Sequence, residues 1–368
     1  MAPSIFPSSS FKPSARRVSR DRSSTQGPLL TVLLALLPVG LSAQSVRVPA
    51  EWEPHAATWM QWPGPYEAEL RPEFAAIIDV IRRYEPVHLI ASSQAQQTQA
   101  ATFLAQRGIS TDGITWHVVP TDNSWLRDNG PVYVTDGRTT WLQDFRFNAW
   151  GGNFGDEITF AADDRVPVRI GSYLGLEVED RSHYVLEKGN LEFNGDGILL
   201  INWDCQNDRN PGLSRAQHEA ILTDAFGLKK IIWAFGYYPE DGTTGHIDGI
   251  ARFVSRDTVA VADYGSPIEQ DLAAACRAAG LRVIWYPGDP NWLVGNGFVA
   301  AVSSGSTTRD AELRTLLSSF FPGRDVHLIA IPEIAAGGGG IHCVTNDQPS
   351  GVGLIFESGF ERGDTSDW

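Results

Sequence analysis

Cysteine is scarce in this chain of 368 residues, which holds only Cys205, Cys276 and Cys343. Neither a Cys-x-x-Cys nor a His-x-x-x-His spacing occurs, and such spacings are typical of structural zinc sites, so no structural zinc site is expected. Because the count is odd, at least one thiol must stay unpaired or pair with another chain. A disulfide between Cys205 and Cys276 is compatible with the sequence.

Long apolar runs are absent after the first 43 residues: no later segment approaches the roughly 18 apolar residues of a membrane-spanning helix. The apolar run over 28–43 is itself too short to span a bilayer, and it ends in small residues. Basic residues precede it: Lys12, Arg16, Arg17, Arg20 and Arg22. This order predicts a secretory signal peptide over 1–43 with cleavage near Ala43. The mature protein is then expected to be secreted or periplasmic, with no membrane partner.

Basic residues are fewer than acidic ones, 29 against 44, which gives a net charge of −15. An acidic surface repels phosphate backbones, so nucleic acid is not an expected partner. The same charge attracts a basic small molecule or a cationic peptide. Hydrophobic residues make up 42 % of the chain, enough for a sizeable buried core. The oligomeric state has no signal in the sequence.

Four stretches repeat one order of elements, a helix followed by an apolar strand. The patterns predict helices over 94–107, 214–226, 268–279 and 310–320, each followed by a strand, over 116–119, 231–235, 282–285 and 327–331. Alternating strand-like stretches over 197–201 and 257–262 lie between these units. The order predicts an α/β protein built from modules of paired strands, a helix and another strand.

Three of these strands are each followed by one chemically reactive residue. Asp128 follows the strand over 116–119, His246 follows the strand over 231–235, and Cys343 follows the strand over 327–331. If the modules stack around one centre, these loops converge. An acid, a base and a nucleophile would then meet in one pocket.

Each motif also has a simpler structural explanation. The run Gly337–Gly340 before Cys343 could be only a flexible turn. The loop Asp122–Pro131 could be a turn in which an aspartate caps its own backbone. His246 and Asp248 lie two residues apart and share a face in extended backbone, as a surface pair, half of a metal site or a catalytic unit.

Considered together, these residues suit an attack on a guanidinium group. The carboxylates of Asp128 and Asp248 match the paired N–H groups of a planar cation. The bound cation also offsets the repulsion that would otherwise raise the pKa of one carboxyl. Cys343 is the sensible nucleophile, because a nearby protonated histidine or a cationic substrate lowers the pKa of a thiol.

Six segments resemble agmatine deiminases and the related bacterial peptidyl-arginine deiminases, and they occur in the order of that family. The resemblance extends from about Pro49 to Pro349. The segments are PAEWEPHAATWMQWP from Pro49, SWLRDNGPVYV from Ser124, FRFNAWGGNF from Phe145, LEKGN from Leu186, GHIDGIARFV from Gly245 and GGGGIHCVTNDQP from Gly337.

The resemblance implies a five-bladed α/β propeller, the pentein fold, with the active site on its axis and no metal or organic cofactor. Cys343 resembles the nucleophile that forms a thiouronium adduct with the guanidinium carbon. His246 resembles the acid that protonates departing ammonia and later the base that activates water. Asp128 and Asp248 resemble the carboxylates that hold the guanidinium nitrogens. Glu187 is similar to the residue that orients the histidine.

Trp125, Trp150 and Asn296 are further candidates for substrate contacts in the pocket. The glycine run is expected to let the backbone approach the substrate and to seat Cys343 at the pocket floor. These expectations place a catalytic domain over 44–354, followed by a polar tail over 355–368.

Departures from the family concern the substrate. Agmatine deiminases commonly have aspartate and asparagine where this chain has Thr244 and Gly249. The arginine pair with which the peptidyl enzymes hold a carboxylate is absent from 148–152. This absence favours agmatine, converted to N-carbamoylputrescine and ammonia, as the substrate. The export signal favours the alternative, conversion of peptidyl-arginine to citrulline.

Two hypotheses from other classes remain open on the residues alone. One is a non-catalytic guanidino-binding protein on the same scaffold. The other is a metal-dependent hydrolase using His246 and Asp248, against which the lack of further histidine ligands argues.

Overall fold

The computed structural model describes residues 46–155 and 158–351. The predicted signal peptide over 1–43 and the predicted polar tail over 355–368 lie outside the described residues. Within the described ranges, no helix has both the length and the apolar character needed to cross a membrane.

Sixteen strands occur in the described residues. They are β1 (His55–Gln61), β2 (Val87–Ala91), β3 (Ile114–Val118), β4 (Val132–Thr135), β5 (Thr140–Arg146), β6 (Val178–Val185), β7 (Glu192–Phe193), β8 (Ile198–Asn202), β9 (Lys230–Ala234), β10 (Ala251–Ser255), β11 (Thr258–Ala262), β12 (Arg282–Tyr286), β13 (Leu293–Gly295), β14 (Phe298–Val302), β15 (Asp325–Ile329) and β16 (Asn346–Pro349).

Nine α-helices accompany these strands in the same part of the chain. They are α1 (Arg71–Ile81), α2 (Gln94–Gln106), α3 (Leu126–Asn129), α4 (Val166–Leu174), α5 (Trp203–Arg209), α6 (Arg215–Phe226), α7 (Pro267–Ala278), α8 (Thr307–Phe320) and α9 (Pro332–Ala336).

Four sheets share one topology, an antiparallel hairpin followed by a helix and a parallel third strand. They are β4-β5-β6, β7-β8-β9, β10-β11-β12 and β13-β14-β15. The predicted helix–strand pairs correspond to α2 with β3, α6 with β9, α7 with β12 and α8 with β15. The predicted module of paired strands, helix and strand is therefore confirmed.

The fifth sheet joins the two ends of the described chain. Its strand order is β16-β1-β2-β3, in which β16 is antiparallel to β1 and the other pairs are parallel. Together, the four three-stranded sheets and this four-stranded sheet match the predicted five-bladed α/β propeller.

Local sequence explains why the modules form. In α7, Pro267 occupies the first turn, and Ser266 and Glu269 form a capping box that satisfies free backbone N–H groups. The strand β11 is buried along its whole length and packs against Leu272 and Cys276 of α7. The apolar side chains form clusters that join neighbouring modules, as where Leu200 and Ile232 pack with β11 and α7.

Candidate active site

The structure brings the three predicted reactive residues together from three modules. Asp128 lies in α3 after β3, His246 lies after β9, and Cys343 lies between α9 and β16. Nδ1 of His246 is 3.5 Å from Oδ1 of Asp128. Sγ of Cys343 is 3.6 Å from Oδ2 of Asp248. All four side chains are buried, as the predicted convergence of these loops requires.

Glu187 and Arg209 fix the imidazole of His246. Oε2 of Glu187 lies 2.9 Å from Nε2 of His246, and Oε1 accepts a hydrogen bond of 2.7 Å from Nε of Arg209. Burial raises the pKa of Glu187, but the hydrogen bond to His246 and the charge of Arg209 outweigh it, so this pKa lies below its ordinary value. Glu187 is therefore a charged acceptor that orients the histidine.

His246 itself is stabilised in its protonated form. Burial lowers its pKa, but the charge of Asp128 and the hydrogen bonds with Cys205 and Glu187 outweigh burial, and the pKa lies well above its ordinary value of 6.5. The imidazolium can therefore donate a proton to a leaving group at neutral pH.

Asp128 is held by a strained aromatic residue and by a glycine. Nε1 of Trp150 donates to Oδ2 of Asp128 at 2.8 Å, and the backbone N–H of Gly189 donates to Oδ1 at 3.0 Å. Ala149 and Trp150 have φ values of 54° and 55°, a left-handed conformation that costs a non-glycine residue about 1–2 kcal/mol. A Cβ at position 189 would lie 2.5 Å from both Asp128 and His246, so only glycine fits there.

Asp248 belongs to a second buried chain of polar residues. Its Oδ2 lies 2.7 Å from Nδ1 of His342, whose Nε2 lies 2.7 Å from Oε2 of Glu51. Oε1 of Glu51 in turn lies 2.9 Å from Nη2 of Arg252. Burial raises the pKa of Asp248, but the hydrogen bond and charge of His342 outweigh it, so the pKa lies below its ordinary value. This carboxylate is charged and faces the thiol.

Cys343 is surrounded by donors and by negative charge. The amide of Asn291 contacts it twice, since Nδ2 donates to Sγ at 3.2 Å and Oδ1 accepts from the Cys343 backbone N–H at 3.2 Å. Burial raises the pKa of the thiol, and the charges of Asp248 and Asp128 raise it further, well above its ordinary value of 9.0. The thiol is therefore neutral until a cation reaches the two carboxylates.

Two glycines of the run, Gly339 and Gly340, have no room for side chains, whereas a Cβ at Gly338 would meet nothing within 4 Å. A Cβ at Gly339 would contact the ring of Trp125 and would lie 3.2 Å from Sγ of Cys343. A Cβ at Gly340 would meet the side chain of Asn291. The run thus begins as a turn at 337–338, and its second half, Gly339 and Gly340, packs closely beside the cysteine.

A cavity of about 360 Å³ opens over Asp128 and Cys343, a size typical of small-molecule sites. Trp125 and Trp150 both lie in its wall, as expected for substrate contacts. The remaining lining residues are Tyr66, Glu67, Asn123, Phe154, Ile158, Thr159, Thr243, Gly337 and Gly338. Its described lining contains carboxylates but no lysine, arginine or histidine, so it favours a cationic ligand.

Asn296 does not reach this cavity, although the sequence suggested that it would. Its Oδ1 accepts from the backbone N–H of His55 and its Nδ2 donates to the His55 carbonyl oxygen. Both polar groups of the Asn296 side chain thus bond to the backbone of His55 and connect the β13–β14 hairpin to the start of β1. The asparagine at the thiol is Asn291, which sequence reasoning missed although it lies in the same short stretch.

Cys205 and Cys276 are buried and unpaired. Cys205 lies beside the catalytic group, with Sγ 3.7 Å from Oε2 of Glu187. Among the described residues, Glu187, Cys205 and His246 form the group with metal-ligand spacing. This group does not include Asp248. His246 and Asp248, the pair considered for a metal-dependent hydrolase, therefore do not belong to one group with metal-ligand spacing. Glu187 is also already paired with Arg209.

Further charged residues support the site from behind and were not predicted from the sequence. Nη1 of Arg127 donates to Oδ1 of Asp347 at 2.7 Å, and Nζ of Lys188 donates to the same oxygen at 2.9 Å. Burial lowers the pKa of Lys188 to about 8, although Asp347 opposes that change. Glu51, Asp347 and His342 lie inside the motifs quoted above. Their position in these motifs is the sequence signal that could have identified them as site residues.

Comparison with known proteins gives a family match over most of the chain. The sequence matches the Porphyromonas-type peptidyl-arginine deiminase family over residues 47–280 and 290–349. It is 31 % identical to an agmatine deiminase of Pseudomonas aeruginosa (strain LESB58), over 84 % of this chain and 96 % of that protein. It is 32 % identical to an agmatine deiminase of Stutzerimonas stutzeri, over 82 % and 95 % respectively.

A solved structure has the same fold. The agmatine deiminase of Enterococcus faecalis aligns with a TM-score of 0.75 and 24 % sequence identity, over 84 % of this chain and 97 % of that one. The similarity therefore extends over all five modules of the described chain.

Proposed function

Since the chain belongs to the Porphyromonas-type peptidyl-arginine deiminase family and is an enzyme acting on guanidino C–N bonds, we propose that it hydrolyses agmatine to N-carbamoylputrescine and ammonia. Relatives that are agmatine deiminases support this substrate. The observation that carries the proposal is the position of Asp128 and Cys343 in one cavity wall, with His246 and Asp248 in contact with them.

Substrate binding is the first step of the proposed reaction. The planar guanidinium lies between the carboxylates of Asp128 and Asp248, each of which accepts hydrogen bonds from its nitrogens. Its positive charge offsets the two negative charges that raise the pKa of Cys343. The thiol therefore loses its proton to solvent through the cavity when the correct cation is bound, and the nucleophile stays a neutral, unreactive thiol in the empty site.

The thiolate then attacks the guanidinium carbon. The new C–S bond gives a tetrahedral centre, and His246 protonates the nitrogen that leaves as ammonia. Glu187 keeps the imidazole aligned throughout, since Arg209 holds the other oxygen of that carboxylate. The product of this half-reaction is a thiouronium adduct on Cys343.

Hydrolysis of the adduct completes the cycle. The neutral His246 now accepts a proton from water, and the resulting hydroxide attacks the same carbon. Cleavage of the C–S bond releases the ureido product and regenerates the thiolate. One histidine thus serves first as acid and then as base, which requires its close contact with both Asp128 and Glu187.

A substrate panel tests this function. Purified protein should release ammonia from agmatine with a higher kcat/KM than from arginine or arginyl peptides, and Cys343→Ala should abolish the release. A preference for peptides would establish the alternative, peptidyl-arginine deimination. Saturable binding without ammonia would establish a non-catalytic guanidino-binding protein. No release from any guanidino compound would overturn the proposal.

Export of the enzyme is a separate proposal, supported by the sequence of residues 1–43. Cleavage near Ala43 would leave the five modules intact, because β1, the first strand in the chain, begins at His55. Determining the N-terminal sequence of the protein recovered from outside the cytoplasm tests it. An uncleaved protein confined to the cytoplasm would contradict it.

A further inference from the structure

The lining of the cavity includes a buried carboxylate, Glu67, that the proposed reaction does not use. Glu67 lines the cavity together with Asp128 and Cys343, and only 8 % of its surface is exposed. Its Oε1 accepts a hydrogen bond of 3.3 Å from the backbone N–H of Ser124. Its Oε2 has no hydrogen-bond partner among the described residues. A buried carboxylate oxygen without a partner is unfavourable unless a ligand supplies one.

The surroundings of Glu67 are acidic. Asp122 and Asp163 lie close enough that all three charges raise the pKa of Tyr66, after the effect of its burial. Burial likewise raises the pKa of Glu67 itself. No lysine, arginine or histidine in the described ranges forms an ion pair with Glu67, Asp122 or Asp163. Glu67 and its two acidic neighbours therefore have no cationic partner among the described residues.

Aromatic residues line the same cavity as the two carboxylates. Ser124, which donates to Glu67, is followed by Trp125 in the cavity wall and then by α3, which carries Asp128. Trp150 and Phe154 lie in the same wall with their ring centroids 5.2 Å apart. The cavity lining thus combines two acids, Asp128 and Glu67, with aromatic rings, which suits a short apolar chain with a cation at both ends.

We propose that Glu67 binds a primary ammonium group at the distal end of the substrate, and so selects guanidino-alkylamines over guanidino acids and simple alkylguanidines. This inference rests on the proposed deiminase function, because the guanidinium end is taken to lie between Asp128 and Asp248. The α-carboxylate of free arginine would instead face Glu67, and the described lining of the cavity holds no arginine or lysine to bind it.

Three substrates of matched length test the subsite. Agmatine ends in an ammonium group, n-pentylguanidine ends in a methyl group, and 4-guanidinobutanoate ends in a carboxylate. For the wild-type enzyme, kcat/KM should fall in that order. Glu67→Gln should lower kcat/KM for agmatine about 10- to 100-fold, mainly through KM, because a hydrogen bond to a charged group is lost. It should leave kcat/KM for n-pentylguanidine unchanged.

Glu69→Gln is the matched control, since Glu69 lies in the same short helix, Pro65–Leu70, but is exposed. It should leave both substrates unaffected. Glu67→Asp retains the charge and should keep a preference for agmatine over n-pentylguanidine. It also provides a second variant if Glu67→Gln folds poorly in thermal melts. Equal losses on agmatine and n-pentylguanidine, or no loss on agmatine, would overturn the ammonium subsite.

A binding measurement separates this inference from the deiminase proposal. In the Cys343→Ala background, calorimetry should give tighter binding of agmatine than of n-pentylguanidine, and adding Glu67→Gln should remove the difference. This readout needs no turnover. If the wild-type protein releases no ammonia and the binding preference still depends on Glu67, the proposed reaction fails and the subsite stands. If ammonia is released but binding shows no such preference, the reaction stands and the subsite fails.

Discussion

Glu187 and His246 form a buried carboxylate–imidazole pair, with Oε2 of Glu187 2.9 Å from Nε2 of His246. The opposite nitrogen of the ring lies 3.5 Å from Asp128. The imidazole is therefore held between two carboxylates and has a pKa well above its ordinary value, despite its burial. It enters the reaction as an acid, and four predictions follow from this geometry and its neighbours.

Replacing Glu187 by glutamine should lower kcat about 100-fold, because the imidazolium loses its charged partner and its alignment. The pKa of His246 should fall, so the alkaline limb of the kcat profile should move to lower pH. Steady-state kinetics between pH 6 and 10 measures both. Glu219→Gln, at an exposed ion pair on α6, should change neither. An alkaline limb at the same pH would refute the role of Glu187.

The substitution Cys343→Ala should lower the turnover rate at least about 1,000-fold, while agmatine still binds. Binding should persist because Asp128 and Asp248 remain. Ammonia assays and calorimetry distinguish the two effects. Cys276→Ala is a suitable control, since Cys276 lies in α7 and packs in the core against β11 rather than in the cavity. Appreciable ammonia release by the Cys343 variant would exclude the proposed nucleophile.

Asp128 should make activity and stability depend on pH in opposite directions. Burial raises its pKa from 3.8 to about 6, and the nearby carboxylates of Asp248 and Glu187 oppose its ionisation too. Only the charged form binds a guanidinium well, so kcat/KM should rise with pH through about 6. The folded protein retains this proton between about pH 4 and 6 while the unfolded chain loses it. The free energy of unfolding contributed by Asp128 therefore falls across that range.

The variant Asp128→Asn separates these effects. It should lose activity, and its Tm relative to wild type should be higher at pH 8 than at pH 4.5, because only at pH 8 does the native protein carry the unfavourable charge. Thermal melts at the two pH values measure this. The same Tm difference at both values would mean that Asp128 ionises normally in the folded protein.

A methyl group at Gly339 should misplace the nucleophile. Its Cβ would press on the ring of Trp125 and would lie 3.1 Å from Cβ of Cys343. We expect Gly339→Ala to lower kcat at least about 10-fold, because small displacements of reacting groups have large kinetic effects. Gly249→Ala is the control: it lies beside Asp248 in sequence, but nothing lies within 4 Å of its added Cβ. Equal kcat values for the two variants would contradict close packing as the reason for the glycine run.

The sequence predicted the fold well where the signal is local. The periodicity over 214–226 matches α6, and the strand-like stretch over 257–262 matches β11, because helix and strand patterns are set by residues close together in sequence. Strands as short as β7 and β13, of two and three residues, have too few positions for any alternation to be recognised.

The site was predicted less completely, for a physical reason. Cys343 and His246 follow apolar strands and could be found from that position. Glu51 and His342 contact each other across 291 residues of sequence, and nothing local marks such a pair. Asn291 and Asn296 lie on opposite ends of the short strand β13, and only the direction of that strand in space decides which asparagine meets the thiol.

The pairing of β16 with β1 also has a consequence for biosynthesis. Thr58 and Trp59 of β1 pair with Asp347 and Asn346 of β16, immediately after the nucleophile. The first sheet therefore cannot be completed during translation until β16 has been synthesised. A ribosome-bound chain without β16 also lacks the Asp347 contacts and the final position of the Cys343 thiol. Catalytic competence should consequently appear all at once, late in synthesis, and a growing chain would have no means of modifying guanidino compounds prematurely.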